Sequence, residues 1–424
     1  MGQHSFDFDC RTGLRQVHYI APYLPKPKGG IMKKDILRRI GFSVLLGAFF
    51  VGLLPAPAGD LAPPPPKHIA DALKPFVDSH SLAGAVTLVA NKDKVWSLEA
   101  IGYADVSGSR PMLIDAIFWI ASMSKPITAA ALMILVDDGK VKLDDPVEKY
   151  LPEFKDIRLA AEKGQDLNQL RKPAHPITVR EVLSHTSGLP FKSEQEKPTI
   201  DVLPLKDAVV SYTKTPLLHE PGSKYLYSNA GINTAGRIIE VVSGMAYEDF
   251  LDNHLFGPLG MKDTTFWPSE KQLKRLAKSY KPNKAKTDLE ETTVTALKYP
   301  LSDRKRYPCP GGGLFSTASD CGVFCQMVLN GGVHKGKRIL SEAAVKEMTS
   351  KQTGAGIKQS YGLGWAVKGE NSFGHGGAYA TDMTIDTKRG LITVWMVQQS
   401  GGFPNNGGQS QGAFRKAAEE LYGK

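Results

Sequence analysis

Two stretches rich in β-branched and aromatic residues, Gly84 to Asn91 and Lys94 to Tyr103, flank the polar pair Lys92-Asp93, which predicts an antiparallel hairpin. From about residue 120 to 300 the apolar positions fall at helical spacing, interrupted by Gly and Pro, as in Ala129 to Val136, Thr178 to Leu183 and Gly231 to Val242. Thr178 with Glu181, and Thr317 with Asp320, have the spacing of a capping box and predict two helix starts. Beyond Tyr361, strand-like runs return at Gly362 to Val367, Ala380 to Asp386 and Leu391 to Gln398, followed by an amphipathic run from Ala413 to Leu421. No internal repeat is visible. The expected class is α+β: an antiparallel β-sheet flanked by helices, contributed by residues 68–117 and 301–424, with a mainly helical insertion over 118–300.

The N-terminal pattern is of another kind. Met32 is followed by Lys33, Lys34, Arg38 and Arg39, an apolar run from Ile40 to Leu54, and Ala56-Pro57-Ala58. Basic residues that stay on the cytoplasmic side, an apolar run that enters the membrane and small residues that fit a signal peptidase predict an export signal, cleaved after Ala58. The run is shorter than the roughly 20 residues that span a bilayer, and no Cys follows it to carry a lipid. A periplasmic or secreted location is expected, with contact to the membrane only through this segment if it is uncleaved. The 31 residues before Met32 fit a start codon placed too early. Residues 59–67, with the run Pro63 to Pro66, read as a stiff spacer, so the folded body is expected from about His68.

Composition then narrows the class. Of 424 residues, 42% are hydrophobic and 23% charged, which excludes a disordered or fibrous chain and leaves room for a substantial core. Loss of residues 1–58 removes eight Lys/Arg and three Asp/Glu, so the net charge falls from +10 to +5. The densest basic segment, Lys271 to Lys286, lacks the interleaved aromatics that stack on bases, so nucleic acid is not expected as a partner. Cys309, Cys321 and Cys325 allow at most one disulfide. Their spacing resembles no zinc ligand set, the histidines form no His-Glu-x-x-His pair, and no metal or cofactor is expected.

Candidate chemistry begins at Ser122-Met123-Ser124-Lys125. A hydroxyl and an ammonium three residues apart share one face of a helix, where they can share a proton, and a serine needs such a neighbour to attack a carbonyl. Pro126 and the Ala129–Ala131 run place a helix start here, whose dipole favours developing negative charge. The same spacing recurs at Ser211/Lys214 and Ser302/Lys305, in Lys-rich or Pro-flanked segments expected to be exposed. A second element, Tyr227-Ser228-Asn229, lies in a turn before a helix; a phenol with its pKa lowered by a nearby Lys can take and return a proton. A third, Gly374-His375-Gly376-Gly377, is expected in an edge strand where missing side chains let a substrate backbone approach. The N–H groups of Ser122 and Ala378 could form an oxyanion hole. Gly408-Gln409-Ser410-Gln411-Gly412 matches the Gly-x-Ser-x-Gly elbow, but no His lies downstream, and Ser410 is expected only to open the last helix.

In this order and at these separations, the three elements resemble the serine β-lactamase and penicillin-binding-protein superfamily, specifically the class C β-lactamase-like branch that includes family VIII carboxylesterases. The resemblance extends to Phe118–Leu151, Leu183–Leu189, Pro221–Gly244, Phe256–Met261 and Gly311–Thr317. It implies an acyl-enzyme on Ser122, activation by Lys125, and Tyr227 as general base and acid. It also implies that Asn229 helps hold Lys125 and the substrate, that His375, Gly376 and Gly377 contact substrate, and that the site lies between a sheet part and a helical part. His185 is expected to be structural, supporting the loop after its helix. His375 stands where β-lactamases and most transpeptidases carry a Lys, and a mostly neutral His offers no permanent cation to a substrate carboxylate. The expected activity is therefore carboxylesterase-like hydrolysis, followed by β-lactamase or D-Ala-D-Ala carboxypeptidase/D-amino-acid peptidase activity, and then by non-hydrolytic binding of penicillin or cell-wall peptides. The expected partners are small esters, β-lactams or short peptides.

Overall fold

The computed structural model describes residues 68–159 and 170–423; the expected export signal and Pro-rich spacer lie outside the described residues. No helix among the described residues is long and apolar enough to cross a membrane.

After helix α1 (Ile69–Asp78) the chain forms strands β1 (Gly84–Ala90), β2 (Val95–Asp105) and β3 (Arg110–Pro111). The β1–β2 hairpin forms as predicted, and its turn is held by Asn91, whose side-chain oxygen accepts from the N–H groups of Asp93 and Lys94 at 2.9 and 2.8 Å. Near the C-terminus come β4 (Ala366–Val367), β5 (Ser372–Gly376), β6 (Asp382–Asp386) and β7 (Leu391–Met396). All seven join one antiparallel sheet in the order β4-β5-β6-β7-β1-β2-β3, so the first hairpin docks on the last strand.

Both faces of β1 and β7 are covered, which explains their uninterrupted apolar character. On one face Ala85, Val89, Leu391 and Trp395 pack against Ile69, Leu73 and Phe76 of α1 and Phe414 and Ala418 of the last helix. On the other, Val86, Leu88, Ile392 and Val394 join the large core with Phe324 and Cys325. Alternation with period two divides the residues between the faces.

The chain between β3 and β4 supplies helices α2 (Ser124–Asp137), α3 (Val179–Leu183), α4 (Leu205–Tyr212), α5 (Asn229–Ser243) and α6 (Ala318–Leu329), and the chain ends in α7 (Ser410–Tyr422). Thr178 and Glu181 make the expected capping box. Thr317 caps α6, but the Asp320 carboxylate turns to the Asp263 N–H and Thr264 hydroxyl, so only half of that box forms. Two expectations differ more. Gly362 to Gly364 form a loop rather than a strand, because Gly364, at φ +74°, packs against the Lys125 carbonyl where a Cβ would sit 2.7 Å away. The Lys-rich segment opens a ribbon, Ser279–Pro282 with Leu289–Thr292, and three of its seven basic side chains meet carboxylates: Arg275 pairs with Asp115 and Asp263, Lys278 with Asp105 and Glu291, and Lys281 with Glu290. All three described cysteines are buried free thiols.

Candidate active site

Helix α2 is apolar nearly all round and buried from Ser124 to Met133, so a polar side chain in its first turn is forced out of water. Lys125 is that side chain, with 0% exposure. Its Nζ lies 3.1 Å from Ser122 Oγ, 2.7 Å from Asn229 Oδ1 and 2.6 Å from the Gly311 carbonyl, and 4.6 Å from the centre of the Tyr227 ring. Burial pushes its pKa down to about 7, with a partly opposing contribution from Cys309. Two of its three partners are carbonyls that only accept, whereas the hydroxyl can donate. A neutral amine, with two N–H groups and one lone pair, fits that set: the N–H groups can serve the two shorter contacts and the lone pair can accept from the Ser122 hydroxyl.

Ser122 does not sit in the helix as its spacing to Lys125 predicts. It lies in a 3₁₀ turn, Ala121–Met123, just before α2. Ala121 is left-handed at φ +45°, a conformation that costs a non-glycine residue roughly 1–3 kcal/mol and that turns the next side chain out of the core. Ser122 is accordingly half-exposed between buried neighbours.

Asn229 and Tyr227 arrive on the turn that opens α5. Ser228 caps the helix by accepting from the Gly231 N–H at 3.0 Å and donates to the Pro190 carbonyl at 2.6 Å. Tyr227 lies beside this group, with its ring 4.6 Å from Lys125 Nζ and 4.5 Å from the His185 ring. The expected lowering of its pKa is overturned: burial pushes the phenol well above its usual value, and the nearby Ser122 hydroxyl offsets only part of this. The cause is that the phenol, like the amine, is buried, and burial disfavours the charged form of each. Proton affinity is thus distributed opposite to expectation, with the amine the better proton acceptor and the phenol the held donor.

The third element comes from the end of β5. It is second from the sheet edge, but β4 pairs only with Phe373 and Gly374, so His375 and Gly376 have a free side. Gly377 is glycine because the chain passes Ile120 there: a Cβ would meet the Ile120 carbonyl at 2.5 Å and Thr381 Oγ1 at 2.1 Å. At Gly376 a Cβ would find only ordinary contacts, which leaves that position open toward a ligand. The close passage brings Ala378 beside the turn that carries Ser122. Among the described residues neither the Ser122 N–H nor the Ala378 N–H has an acceptor, and Ala378 is exposed.

His375 differs from the expected substrate contact. It is 6% exposed; Nδ1 donates to the Gly376 carbonyl at 2.7 Å and Nε2 accepts from the Tyr361 hydroxyl at 2.9 Å. Burial pushes its pKa down to about 3. Both ring nitrogens are spent inside the protein, so His375 is neutral and anchors the strand end rather than reaching outward. His185, left-handed at φ +61°, accepts from the Ser228 N–H at 3.2 Å through Nδ1, and its ring lies 4.5 Å from Tyr227 and 4.7 Å from Tyr361. It therefore supports the Tyr227 turn in addition to its own loop.

Gly311, Tyr361 and Phe191 were not singled out by the sequence. Gly311 offers its carbonyl to Lys125, and a Cβ there would press on the Asn229 amide at 3.0 Å; the run Gly311–Gly313 was the available signal. Tyr361 and Phe191, the latter 47% exposed beside the Tyr227 ring, had no local signal. The competing serines do not assemble a site. Ser211 is buried, not exposed as expected, and donates to the Ala208 carbonyl, while Lys214 and Lys305 are exposed. Ser410 is buried and donates to the Gly407 carbonyl at 2.6 Å.

A model of the Beta-lactamase family matches residues 69–414. An uncharacterized protein of Mycobacterium tuberculosis is 30% identical over 359 residues, covering 77% of this chain and 88% of the relative. A Salmonella agona protein provisionally named a D-alanyl-D-alanine carboxypeptidase is 28% identical over 310 residues, 63% of this chain and 65% of that one. Among solved structures, EstCE1, described as a hydrolase with promiscuous acyltransferase activity, superposes with a TM-score of 0.69 at 25% identity, over 84% of this chain and 97% of that one. The chain belongs to the Beta-lactamase family, within the serine β-lactamase and penicillin-binding-protein superfamily, and is a serine hydrolase of that family.

Proposed function

We propose that the protein is a carboxylesterase-like hydrolase whose acyl-enzyme forms on Ser122. The observation that carries the reading is the partner set of Lys125: two fixed carbonyls and one hydroxyl, around an amine whose pKa burial brings down to about 7. In the free enzyme the Ser122 proton passes to the Lys125 lone pair as Oγ forms its bond to the ester carbonyl carbon. The carbonyl π electrons move to oxygen, and the Ser122 and Ala378 N–H groups receive the oxyanion. On collapse the leaving alkoxide takes the Tyr227 phenolic proton, and Lys125 returns a proton to Tyr227. Water then repeats the sequence on the acyl-enzyme, releasing the carboxylic acid.

The preference for esters rests on His375. A neutral imidazole with both nitrogens engaged gives no cation for the carboxylate of a β-lactam or peptide terminus, whereas an ester needs none. β-Lactamase or D-Ala-D-Ala carboxypeptidase activity is the second reading, favoured by the name of the Salmonella relative. With the export signal expected before residue 59, substrate would be met in the periplasm or outside the cell.

Burst and steady-state hydrolysis of a short-chain p-nitrophenyl ester and a chromogenic cephalosporin tests the reading. Faster ester turnover supports it, and faster cephalosporin turnover moves the assignment to a β-lactamase. A penicillin label that stays on Ser122 without turnover points to a binding protein.

A further inference from the structure

One buried carboxyl takes no part in these steps. Glu196 is 2% exposed, and both of its oxygens accept: Oε2 from the Ser193 N–H at 2.7 Å and Oε1 from the Tyr212 hydroxyl at 2.8 Å. The Tyr212 oxygen in turn accepts from the Asn233 amide at 2.8 Å. Asn233 Oδ1 accepts from the Gly311 N–H at 2.9 Å, and the Gly311 carbonyl accepts from Lys125 at 2.6 Å. Every link donates toward Glu196, so the bonds polarise one another in one direction; burial raises the Glu196 pKa, and the Ser193 N–H and Tyr212 hydroxyl, which meet it only as donors, oppose this by favouring the carboxylate. The same loop holds the other acceptor of Lys125: the Phe191 carbonyl accepts from the Asn229 N–H at 3.0 Å.

We infer that Glu196 is a positioning residue for Lys125, acting through Tyr212, Asn233 and Gly311 to fix the amine against Ser122 and to sustain its affinity for a proton. The inference rests on Lys125 being the base, as proposed above. Tyr227, Cys309, His185 and His375 also face Lys125, and Tyr212, Cys309 and Lys192 surround Glu196. Burial keeps the Cys309 thiol protonated by pushing it up to about 12, and both histidines are neutral, so Lys125 is the member of its cluster that titrates near neutrality. Loss of a negative terminus makes Lys125 easier to deprotonate, which moves the acid limb of activity to lower pH. Loss of its anchor displaces it and slows attack.

The test is the second-order rate constant for labelling of Ser122 by a fluorophosphonate between pH 5 and 9, in wild type, Glu196→Gln, Tyr212→Phe and Lys125→Ala, with thermal unfolding as the check of fold. Tyr212→Phe removes one oxygen and leaves the Glu196–Ser193 bond intact. Expected is a fall on the order of 10-fold in both chain variants, as small misplacements of catalytic groups produce, together with an acid limb shifted to lower pH. An unchanged rate, a slower rate with an unmoved limb, or failure of Tyr212→Phe to fold would each overturn the inference and leave a merely structural network. If Lys125→Ala labels as fast as wild type, it is the Lys125 assignment that fails, independently of the chain.

Discussion

Ser124 and Ser410 sit in matching local structures, while Ser122 does not. Each of the first two is the opening residue of an α-helix that follows a 3₁₀ turn, and each donates to the carbonyl three residues back, Ala121 at 2.7 Å and Gly407 at 2.6 Å. Such a hydroxyl is a local helix-start device, already satisfied. Ser122 lies inside its 3₁₀ turn, after a left-handed alanine, and its hydroxyl reaches Lys125 instead. A Gly-x-Ser-x-Gly string around Ser410 therefore marks only a helix start: its hydroxyl is taken up by the Gly407 carbonyl, and no side chain among the described residues bonds to it. The lesson is that a serine is made reactive by what its hydroxyl lacks locally and finds at a distance.

The largest expected effect follows directly: Ser122→Ala lowers ester hydrolysis at least roughly 10⁴-fold, whereas Ser410→Ala leaves it unchanged, as steady-state kinetics on the two variants will report. Next in size, Lys125→Ala lowers kcat/KM by roughly 10² to 10⁴-fold, and the wild-type acid limb lies near pH 7, where Lys125 gains its proton.

The same residue sets a stability trend. Its pKa is lowered in the folded protein from 10.5 to about 7, so between these values the unfolded chain binds the additional proton and stability rises with pH. Chemical unfolding should show wild type gaining a few kcal/mol over this window relative to Lys125→Met; equal pH dependence in the two would remove the buried, neutral amine from the account. Smaller again, His375→Phe leaves the Tyr361 hydroxyl without its acceptor and should lower stability by about 1–3 kcal/mol in urea unfolding, through the strand end rather than through lost substrate contact.

Much of this was legible in the chain. The β1–β2 hairpin, α2, α5 and the closing helix follow from apolar spacing, and Ser122, Lys125, Tyr227, Asn229 and the 374–377 strand were marked by short motifs that the fold brings to one place. What was not legible depends on burial and on distant partners. The Gly311 carbonyl meets Lys125 across 186 positions, and Tyr361 is recognised only once its hydroxyl is seen on His375. The direction of the Tyr227 shift was misjudged because burial of the phenol, which raises it, depends on the tertiary packing and not on the neighbouring motif. Gly362 to Gly364 read as strand from composition, yet close packing on α2 imposes a loop.

Peptide mapping by mass spectrometry after brief exposure of the whole protein to a fluorophosphonate addresses the nucleophile most directly. A single adduct on the peptide containing Ser122, absent in Ser122→Ala and undiminished in Ser410→Ala, is the result expected. An adduct on Ser410 or another serine, or full labelling of Ser122→Ala, would contradict it.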